Sequence, residues 1–500
     1  MATVAPSQEG LLDSRSDARQ TSSTGERSPE RRSIAAVMGL IGAVAALVAA
    51  RPISDNSLLT HLATGRFILA DGVPTENPFL YTGTAFPIPS WWWSVLLATA
   101  ERVGSATAIR LLTAVVAFAV GAAAVRLAGT ARRGGERAVQ QSLLSVLIPS
   151  GLALFCLFGF LNGRPHLAGF LLLALALVVF NEERSPWWMV VIFAVWANVH
   201  GTWLYGVAII GLLALARLVD DRRWRSTDLW RGVAAVGGVI IGGMFSSPMF
   251  ELVLLPTRQF GDPIERQALK AYTEWSRVPL DSPMLWALIA LAGIAFVGAV
   301  RDRRAATAVV AVVMGLMGWS GGRLMPIAAL TLIPFAASAL RDVGTIGLPG
   351  RTAALRSWVA TAVIIVLTVG YVLVTPGYRL ERYPTEAVDW LESRDLIATA
   401  DVRVMSHDYV GNYLEWRYGA DANAYVDDRP DAATLVQYAR LLRLEDGWAD
   451  DLRSVDPDVV LWHADKGLSK ELAGDDRWIQ AEELGEYRIY CRMEIAERCS

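Results

Sequence analysis

The chain has 500 residues, of which 53% are hydrophobic and 19% are charged, and it contains 18 Trp. Its apolar residues form long blocks rather than an amphipathic pattern, which indicates a polytopic membrane protein. A formal net charge of -3 provides no basic face that could neutralise phosphates, so we expect no nucleic-acid partner. Three Cys are too few for a disulfide scaffold or a Cys-rich zinc site.

The membrane-embedded part is expected over residues 34–375. Residues 1–33 are rich in Ser, Arg, Glu and Gly, which predicts a disordered cytoplasmic tail, and no cleavable signal peptide is visible. Several of the predicted spans are short for a hydrocarbon core of about 30 Å. There are about eleven of them, at 34–50, 106–128, 141–161, 166–181, 187–199, 203–219, 232–247, 284–300, 305–320, 324–340 and 357–375.

Arginine falls in alternate connections between these runs, which predicts the orientation in the membrane. Arginines precede the first run and recur after the second, fourth, sixth, eighth and tenth runs. The positive-inside rule makes that side the cytoplasm, so the N-terminus is expected to be cytoplasmic. An odd number of spans then places residues 376–500 outside the cytoplasm.

Five external connections bring ionisable residues to the outer membrane face. For each residue alone, an interfacial anchor or helix cap is the commoner role, and Asp55 fits the N-cap of a helix beginning near Ser57. Together, ionisable groups at span ends around one cavity are typical of a functional site. The first connection is a large loop over 51–105. The ionisable residues that the five connections bring to this face are Asp55, His61, Arg66, Arg164, His166, His200, Glu274 and Arg323.

A carboxylate among Arg and His side chains suits sugar transfer from a lipid-linked donor. The carboxylate can deprotonate an acceptor while the cations hold the leaving phosphate. No Walker motif or Gly-rich phosphate loop opens a helix, which argues against cytosolic ATP or a nucleotide sugar. The outer His could instead bind a divalent metal with Asp55, but they lack HxxxH spacing, so the sequence assigns no cofactor and leaves a divalent metal open.

Residues 376–500 predict a small extracytoplasmic α/β domain with a partly parallel sheet. Strands are predicted at 401–408, 423–428 and 457–463, and a hairpin at 478–493 closes the domain. The aromatic residues of this domain either contact an acceptor or form its core. Cys491 and Cys499 are either bridged, or the first packs in a strand and the second stays free.

The segments "DNSLLTHLATGRFILADGVPTENPFLYT", "RPHL", "WANVHGTWLYG", "EWSRVP" and "GGRLMPIAAL" resemble bacterial membrane proteins of the GT-C glycosyltransferase superfamily, which includes protein O-mannosyltransferase-like enzymes. The resemblance covers most of residues 34–430, including "SHDYVGNYLEWRYGADANAYVDDRPD". It implies a catalytic acid in the first outer loop, here Asp55, and a polyprenyl-phosphate sugar donor at the bacterial plasma membrane. Many members carry a second acid beside the first, where this chain has Asn56 and Ser57.

The expected reaction is sugar transfer from a polyprenyl-phosphate donor to an acceptor on the outer face. Asp55 is the expected base, and His61 is the second expected catalytic residue. The alternative is a non-catalytic transporter or a lipid- or glycan-binding protein; a transporter should show internal repeats and ionisable residues at the midplane, and we find neither in the sequence. The residues expected to bind the donor phosphate are Arg66, Arg164, His166, His200 and Arg323, and those expected to bind a glycan, lipid or protein acceptor are Glu274, Trp275, Tyr409 and Trp416.

Overall fold

The protein is mostly helical, with a small sheet near its C-terminus. The computed structural model describes residues 27–82, 88, 90–131, 142–246, 263, 274, 276–343, 350–399, 401–429 and 432–500. The first twelve helices within these ranges are α1 (Arg27–Ala49), α2 (Asn56–Asp71), α3 (Trp91–Ala128), α4 (Leu143–Leu157), α5 (Pro165–Asn181), α6 (Trp187–Val199), α7 (Trp203–Asp221), α8 (Ser226–Met244), α9 (Pro283–Arg301), α10 (Ala305–Ser320), α11 (Met325–Ala339) and α12 (Arg351–Val374).

The eleven apolar runs predicted from the sequence coincide with α1 and α3–α12. Among the described residues, six helices are long and apolar enough to cross a membrane. The segment Ser33–Ala49 of α1 and helices α5, α6 and α10 are apolar but shorter. The six segments are Trp91–Ala128, Leu143–Phe160, Trp203–Asp221, Pro283–Arg301, Gly322–Ala339 and Arg351–Val374. The chain is therefore a polytopic α-helical membrane protein.

Two helix boundaries differ from the sequence prediction. Helix α1 begins at Arg27, so the last part of the segment 1–33, expected to be disordered, is helical; residues 1–26 lie outside the described residues. Helix α3 begins at Trp91, well before the predicted run at 106. It is kinked at Gly104 and Ser105, where Ser105 has a φ of 52°, and the membrane-crossing part follows this kink.

Helix α2 lies in the loop between α1 and α3 and packs closely on α3. A Cβ atom at Gly65 would lie 2.0 Å from the backbone oxygen of Ser94, so only glycine permits this approach. The buried face of α2 includes Leu58, Leu62 and Thr64. Helix α2 is thus fixed against the membrane part, with its N-terminus at the start of the loop.

The C-terminal portion contains α13 (Thr385–Glu392), β1 (Val404–Ser406), α14 (Asp408–Tyr418), α15 (Ala432–Arg443), α16 (Trp448–Val455), β2 (Val459–His463), α17 (Gly467–Ala473), β3 (Trp478–Leu484) and β4 (Tyr487–Arg492). The strands form one sheet in the order β1-β2-β4-β3. Strand β1 pairs parallel with β2, whereas β4 is antiparallel to both β2 and β3.

Alternating residues of this sheet enter two separate hydrophobic clusters. Val459 and Leu461 pack on one face with Cys491, whereas Val460 and Trp462 pack on the other. Because successive side chains of a strand point to opposite faces, helices cover both sides of the sheet. The strands predicted near 401–408 and 457–463 and the hairpin at 478–493 are confirmed.

The strand predicted at 423–428 is wrong. Asn423 has a left-handed backbone with φ 44°, which interrupts an extended run. Only isolated bridges form here, and they join Ala424 to Val404 and to Leu80 of the loop between α1 and α3. That loop is therefore hydrogen-bonded to Ala424, whose neighbours in turn bind the edge strand β1.

Cys491 and Cys499 form a disulfide, with their Cα atoms 6.6 Å apart. Both cysteines are buried, and the bridge ties the C-terminal turn to β4. Of the two alternatives that the sequence left open, the structure contains the bridged one.

Candidate active site

The candidate site begins at the N-terminus of α2. Asp55 is the N-cap, and its Oδ1 accepts a hydrogen bond of 3.3 Å from the backbone N–H of Leu58. Ile53, two residues before Asp55, is held by two backbone hydrogen bonds: its N–H donates to Gly377 O, and its carbonyl accepts from the N–H of Arg379. The N-cap role predicted for Asp55 is confirmed. The linker after α12 holds the backbone just before this residue.

Arg164 joins Asp55 to the next acidic group of the site. It stands at the N-cap position of α5, and its Nε donates to Asp55 Oδ1 at 2.6 Å while its Nη1 donates to Glu274 Oε1. The side chain of Asn162 accepts from the backbone N–H of Arg164, which closes the turn before α5. On the other side, Arg323 Nε donates to Glu274 Oε2 from a 3-10 turn before α11.

These four side chains form an alternating row of charges, Asp55, Arg164, Glu274 and Arg323. Burial lowers the pKa of Arg164, but Asp55 and Glu274 outweigh it and raise that pKa above its ordinary value. Burial raises the pKa of Glu274, and the charges of Arg323 and Arg164 outweigh it and lower that pKa to about 2. Arg164 and Glu274 are therefore both charged at neutral pH, and each holds the other in its charged form.

The three predicted histidines lie close together behind this row. The rings of His166 and His200 are 6.3 Å apart, and each is bound within its own segment, to Phe160 O and Thr202 Oγ1. His61 Nδ1 pairs with Ser94 Oγ at 2.9 Å. Burial lowers the pKa of His61 well below its ordinary value, and the charge of Arg429 lowers it further, so His61 is neutral and can serve as a hydrogen-bond partner.

Other predicted site residues make different contacts. Arg66 forms a bidentate ion pair with Glu101 and donates to the backbone oxygen of Trp416 at 2.6 Å. The ring of Trp416 packs against Tyr378, and Tyr409 pairs through its hydroxyl with Tyr487. These contacts join the C-terminal portion to α2 and α3 and complete its own core. Trp275 lies outside the described residues.

Sequence reasoning missed Arg382, an exposed cation beside the N-terminus of α2. Its Nη2 donates to Asn56 Oδ1 at 3.2 Å and to the hydroxyl of Tyr383 at 3.0 Å. Asn56 Oδ1 also accepts from Arg164 Nη2 at 3.4 Å. Arg382 follows α12, so no spacing along the chain connects it with Asp55; the only signal was its position just after the last span.

The segment around residues 427–429 brings a second group of charges to α2. Arg429 Nη1 donates to Thr64 Oγ1 at 2.6 Å, and its other nitrogens bind the fully buried carboxylates of Asp427 and Glu415. Ser57 Oγ donates to Asp428 Oδ2. Burial raises the pKa of Glu415 well above its ordinary value, and Asp427 raises it further. The C-terminal portion thus packs on α2 through hydrogen bonds between buried and half-buried polar side chains.

An apolar groove of about 630 Å³ lies between α3, α5 and α6. Trp91, Trp92 and Leu172 are among its lining residues. Trp93, which also lines the groove, donates from its indole to the backbone oxygen of Gly163, the residue before Arg164. Asn198 accepts from the indole of Trp91. One end of the groove therefore lies near the turn that carries Arg164.

A separate, polar cavity of about 560 Å³ lies beyond the C-terminal ends of α3 and α5 and is also lined by α7, α9, α10 and α11. Its lining includes Asn181, the last residue of α5, together with Arg217 and Arg304. Between His166 and Asn181, α5 carries only apolar residues and glycine. Along α5, the polar groups are therefore at the two ends and not at mid-depth. Within the described parts of the chain, no group of three or more His, Cys, Asp or Glu side chains is placed to hold a metal ion.

Comparisons with known proteins show the fold. No family model matches the sequence, and no curated protein matches it. The archaeal oligosaccharyltransferase AglB from Archaeoglobus fulgidus, solved with an inhibitory peptide and a dolichol-phosphate, superposes with a TM-score of 0.52 at 10% identity, over 87% of this chain and 69% of that chain. The chain therefore shares its fold with this oligosaccharyltransferase, which agrees with the GT-C fold expected from the sequence.

Two further solved structures share this fold. ArnT from Cupriavidus metallidurans, solved with undecaprenyl phosphate, superposes with a TM-score of 0.50 at 15% identity, over 91% of this chain and 97% of that chain. The arabinofuranosyltransferase AftD from Mycobacteria gives a TM-score of 0.50 at 15% identity, over 92% of this chain. The chain spans 41% of the length of AftD.

Proposed function

We propose that the protein is a membrane glycosyltransferase that moves a sugar from a polyprenyl-phosphate donor to an acceptor hydroxyl on the outer face of the bacterial plasma membrane. The observation that carries this proposal is the row of Asp55, Arg164, Glu274 and Arg323, which lies near one end of an apolar groove. The fold shared with AglB and ArnT, which were solved with dolichol-phosphate and undecaprenyl phosphate, supports it.

The chemistry assigns a role to each group of the row. The acceptor oxygen attacks the anomeric carbon of the sugar, and the bond from that carbon to the phosphate oxygen breaks. Asp55 accepts the hydroxyl proton at Oδ2, which accepts a long bond of 3.4 Å from Asn162, whereas Oδ1 is bound by Arg164 at 2.6 Å and by the backbone of Leu58. Polyprenyl phosphate leaves with the electron pair.

The leaving phosphate needs cations, and the site provides two partly exposed ones. The side chain of Arg323 is 38% exposed next to Glu274, and Arg382 is exposed beside Asn56. We assign phosphate binding to these two arginines, because guanidinium groups match phosphate geometry. Arg164 is held between Asp55 and Glu274 and orients both carboxylates.

The apolar groove provides a site for the polyprenyl chain. Its walls are tryptophan and aliphatic side chains, and it opens between three membrane helices, so the chain can enter sideways from the lipid. The buried disulfide of the C-terminal portion agrees with a position outside the cytoplasm, because such bonds persist in oxidising compartments. The acceptor is a glycan, lipid or protein.

The test uses purified protein in lipid nanodiscs with polyprenyl-phosphate donors that carry labelled sugars. Release of polyprenyl phosphate together with transfer of label to envelope acceptors is expected. Asp55→Asn should reduce transfer about a hundredfold or more, since it removes the base but keeps its shape. Asp281→Asn, an exposed aspartate before α9, is the control and should react like wild type.

Two results would contradict the proposal. Wild-type turnover by Asp55→Asn would remove Asp55 from the mechanism. Absence of sugar transfer from every donor, combined with uptake of labelled solute or lipid into proteoliposomes, would support a transporter.

A further inference from the structure

The segment 427–429 of the C-terminal portion is docked along one face of α2. Asp428 binds Ser57 in the first turn of α2, and Arg429 binds Thr64 two turns later. Residues seven apart lie on the same face of a helix, so both contacts come from one surface. Asn77, beyond the end of α2, also donates toward Asp427. The docking is therefore built from several separate bonds.

We propose that Asp428 is a positioning residue of the transfer reaction. Its ionised carboxylate holds Ser57 and thereby the N-terminus of α2, which Asp55 caps. The proposal rests on the transferase function proposed above. It makes the active site incomplete without the C-terminal portion, because this carboxylate comes from a residue far beyond the last membrane helix.

The geometry gives Asp428 a direct path to Asp55. Ser57 is two residues after the Asp55 cap, within the first helical turn, where the backbone N–H of Leu58 binds Asp55. A shift of Ser57 therefore displaces the donor that orients Asp55. Asp428 is itself held by a second element, since the side chain of Asn412 in α14 accepts from its backbone N–H at 3.0 Å.

Charged and titratable groups from several neighbouring segments interact with the carboxylate of Asp428. Arg429 and Asp427 flank it in its own segment, and Arg164 faces it from the N-terminus of α5. Glu415 of α14 and Tyr383 of the linker before α13 also interact with it electrostatically. Two cations thus favour the ionised form, and two carboxyl groups oppose it.

Burial raises the pKa of Asp428 to about 6, with Arg429 and the hydrogen bond from Ser57 opposing this and Asp427 adding to it. The side chain therefore changes charge just below neutral pH. Its ionised form accepts the Ser57 proton and is attracted by Arg164. Protonation removes this attraction, so we expect transfer to decrease as the pH falls through this range.

The experiment compares Asp428→Asn and Ser57→Ala with wild type and with Asp450→Asn, a control at an exposed aspartate of the C-terminal portion. At pH near 7.5, both test variants should lower kcat by about tenfold to a hundredfold while KM for the donor changes little. The double variant should lose no more than either single variant, because both changes break the same link.

Two further readouts separate positioning from a merely structural role. The acidic limb of the wild-type pH profile should disappear in Asp428→Asn. The melting temperature of this variant at neutral pH should equal or exceed that of wild type, because the ionised group that it replaces is buried. A loss of activity that is matched by a comparable loss of melting temperature would overturn the proposal, and so would wild-type kcat in Asp428→Asn.

Hydrogen exchange of the first-turn amides of α2 tests the link without any turnover. Protection factors, which correct each rate for the intrinsic pH dependence of amide exchange, should be lower in Asp428→Asn than in wild type, and lower in wild type at pH near 5 than at pH near 7.5. Equal protection factors in all three cases would refute the positioning role. If wild type transfers no sugar from any donor, the proposed function fails, and the exchange measurement still decides whether Asp428 positions α2.

Discussion

Asp55 Oδ1 and Arg164 Nε lie 2.6 Å apart, although 109 residues separate them in the chain. Each is the N-cap residue of a helix, α2 and α5. The positive ends of both helix dipoles therefore lie at this pair. The pair fixes the carboxylate of Asp55 in one orientation, and its geometry should matter more than its charge alone.

Arg164→Lys tests this geometry. Lysine keeps the positive charge but cannot donate to Asp55 and Glu274 from two ends of a planar fork. We expect transfer to fall about tenfold or more, since the carboxylates lose their fixed orientation. Labelled-donor turnover measures the loss, and Arg184→Lys, a half-exposed arginine at the far end of α5, is the matched control. Equal activity of Arg164→Lys and wild type would show that charge alone suffices.

Arg110 should contribute strongly to stability. It is 2% exposed, and it binds backbone oxygens at the ends of α1 and α12, namely Ala50, Val372, Thr375 and Pro376. Arg110→Met would leave these carbonyls unsatisfied, at a cost on the order of 2–4 kcal/mol. Thermal unfolding in detergent should show a clear decrease in melting temperature. Arg126→Met, at a side chain that is 40% exposed on the same helix, should change it little; similar shifts for both variants would argue against this role.

The sequence predicted those parts of the site that depend on local spacing or on membrane sidedness. The Asp55 cap needs only residues three apart, and arginine alternation placed Arg164 and Glu274 on one face. Ser57 and Asp428 are 371 residues apart, and their contact depends on how the C-terminal portion docks, which no local pattern encodes. Arg110 was missed for a similar reason, because its partners are helix ends that meet only in the folded bundle.

Glu415 should make stability depend on pH. One cation, Arg429, serves two buried carboxylates, and burial raises the pKa of Glu415 well above its ordinary value. The pKa of Glu415 is higher in the folded than in the unfolded protein, so the protonated side chain contributes to the free energy of unfolding. This contribution is fully present below the ordinary Glu pKa and is lost as the pH rises through the folded pKa. Glu415→Gln stays neutral, so its melting temperature should fall less than that of wild type between mildly acidic and alkaline pH. Glu486→Gln, at an exposed position, should follow wild type.

Narrowing the apolar groove should weaken donor binding selectively. Leu96 lines the groove and is 42% exposed, so Leu96→Trp adds bulk there without entering the core. KM for a long polyprenyl donor should rise about fivefold or more with kcat little changed, because only uniform binding is lost. A donor with a short chain should show a smaller effect. Val103→Trp, at a position on the same helix that is 82% exposed, is the control, and an unchanged KM in Leu96→Trp would place the lipid chain elsewhere.

The orientation in the membrane can be tested with single cysteines, because the native thiols do not interfere. Cys156 is buried, and Cys491 and Cys499 are bridged. Ala420 and Arg222 are both exposed, the first in the C-terminal portion and the second after α7. The arginine distribution predicts that a membrane-impermeant maleimide added to intact cells labels Ala420→Cys and spares Arg222→Cys until the membrane is opened. Labelling of Arg222→Cys alone in intact cells would reverse the orientation and move the Asp55 site to the cytoplasmic face. The disulfide provides an independent check, since both thiols should then be free in protein taken from the native membrane.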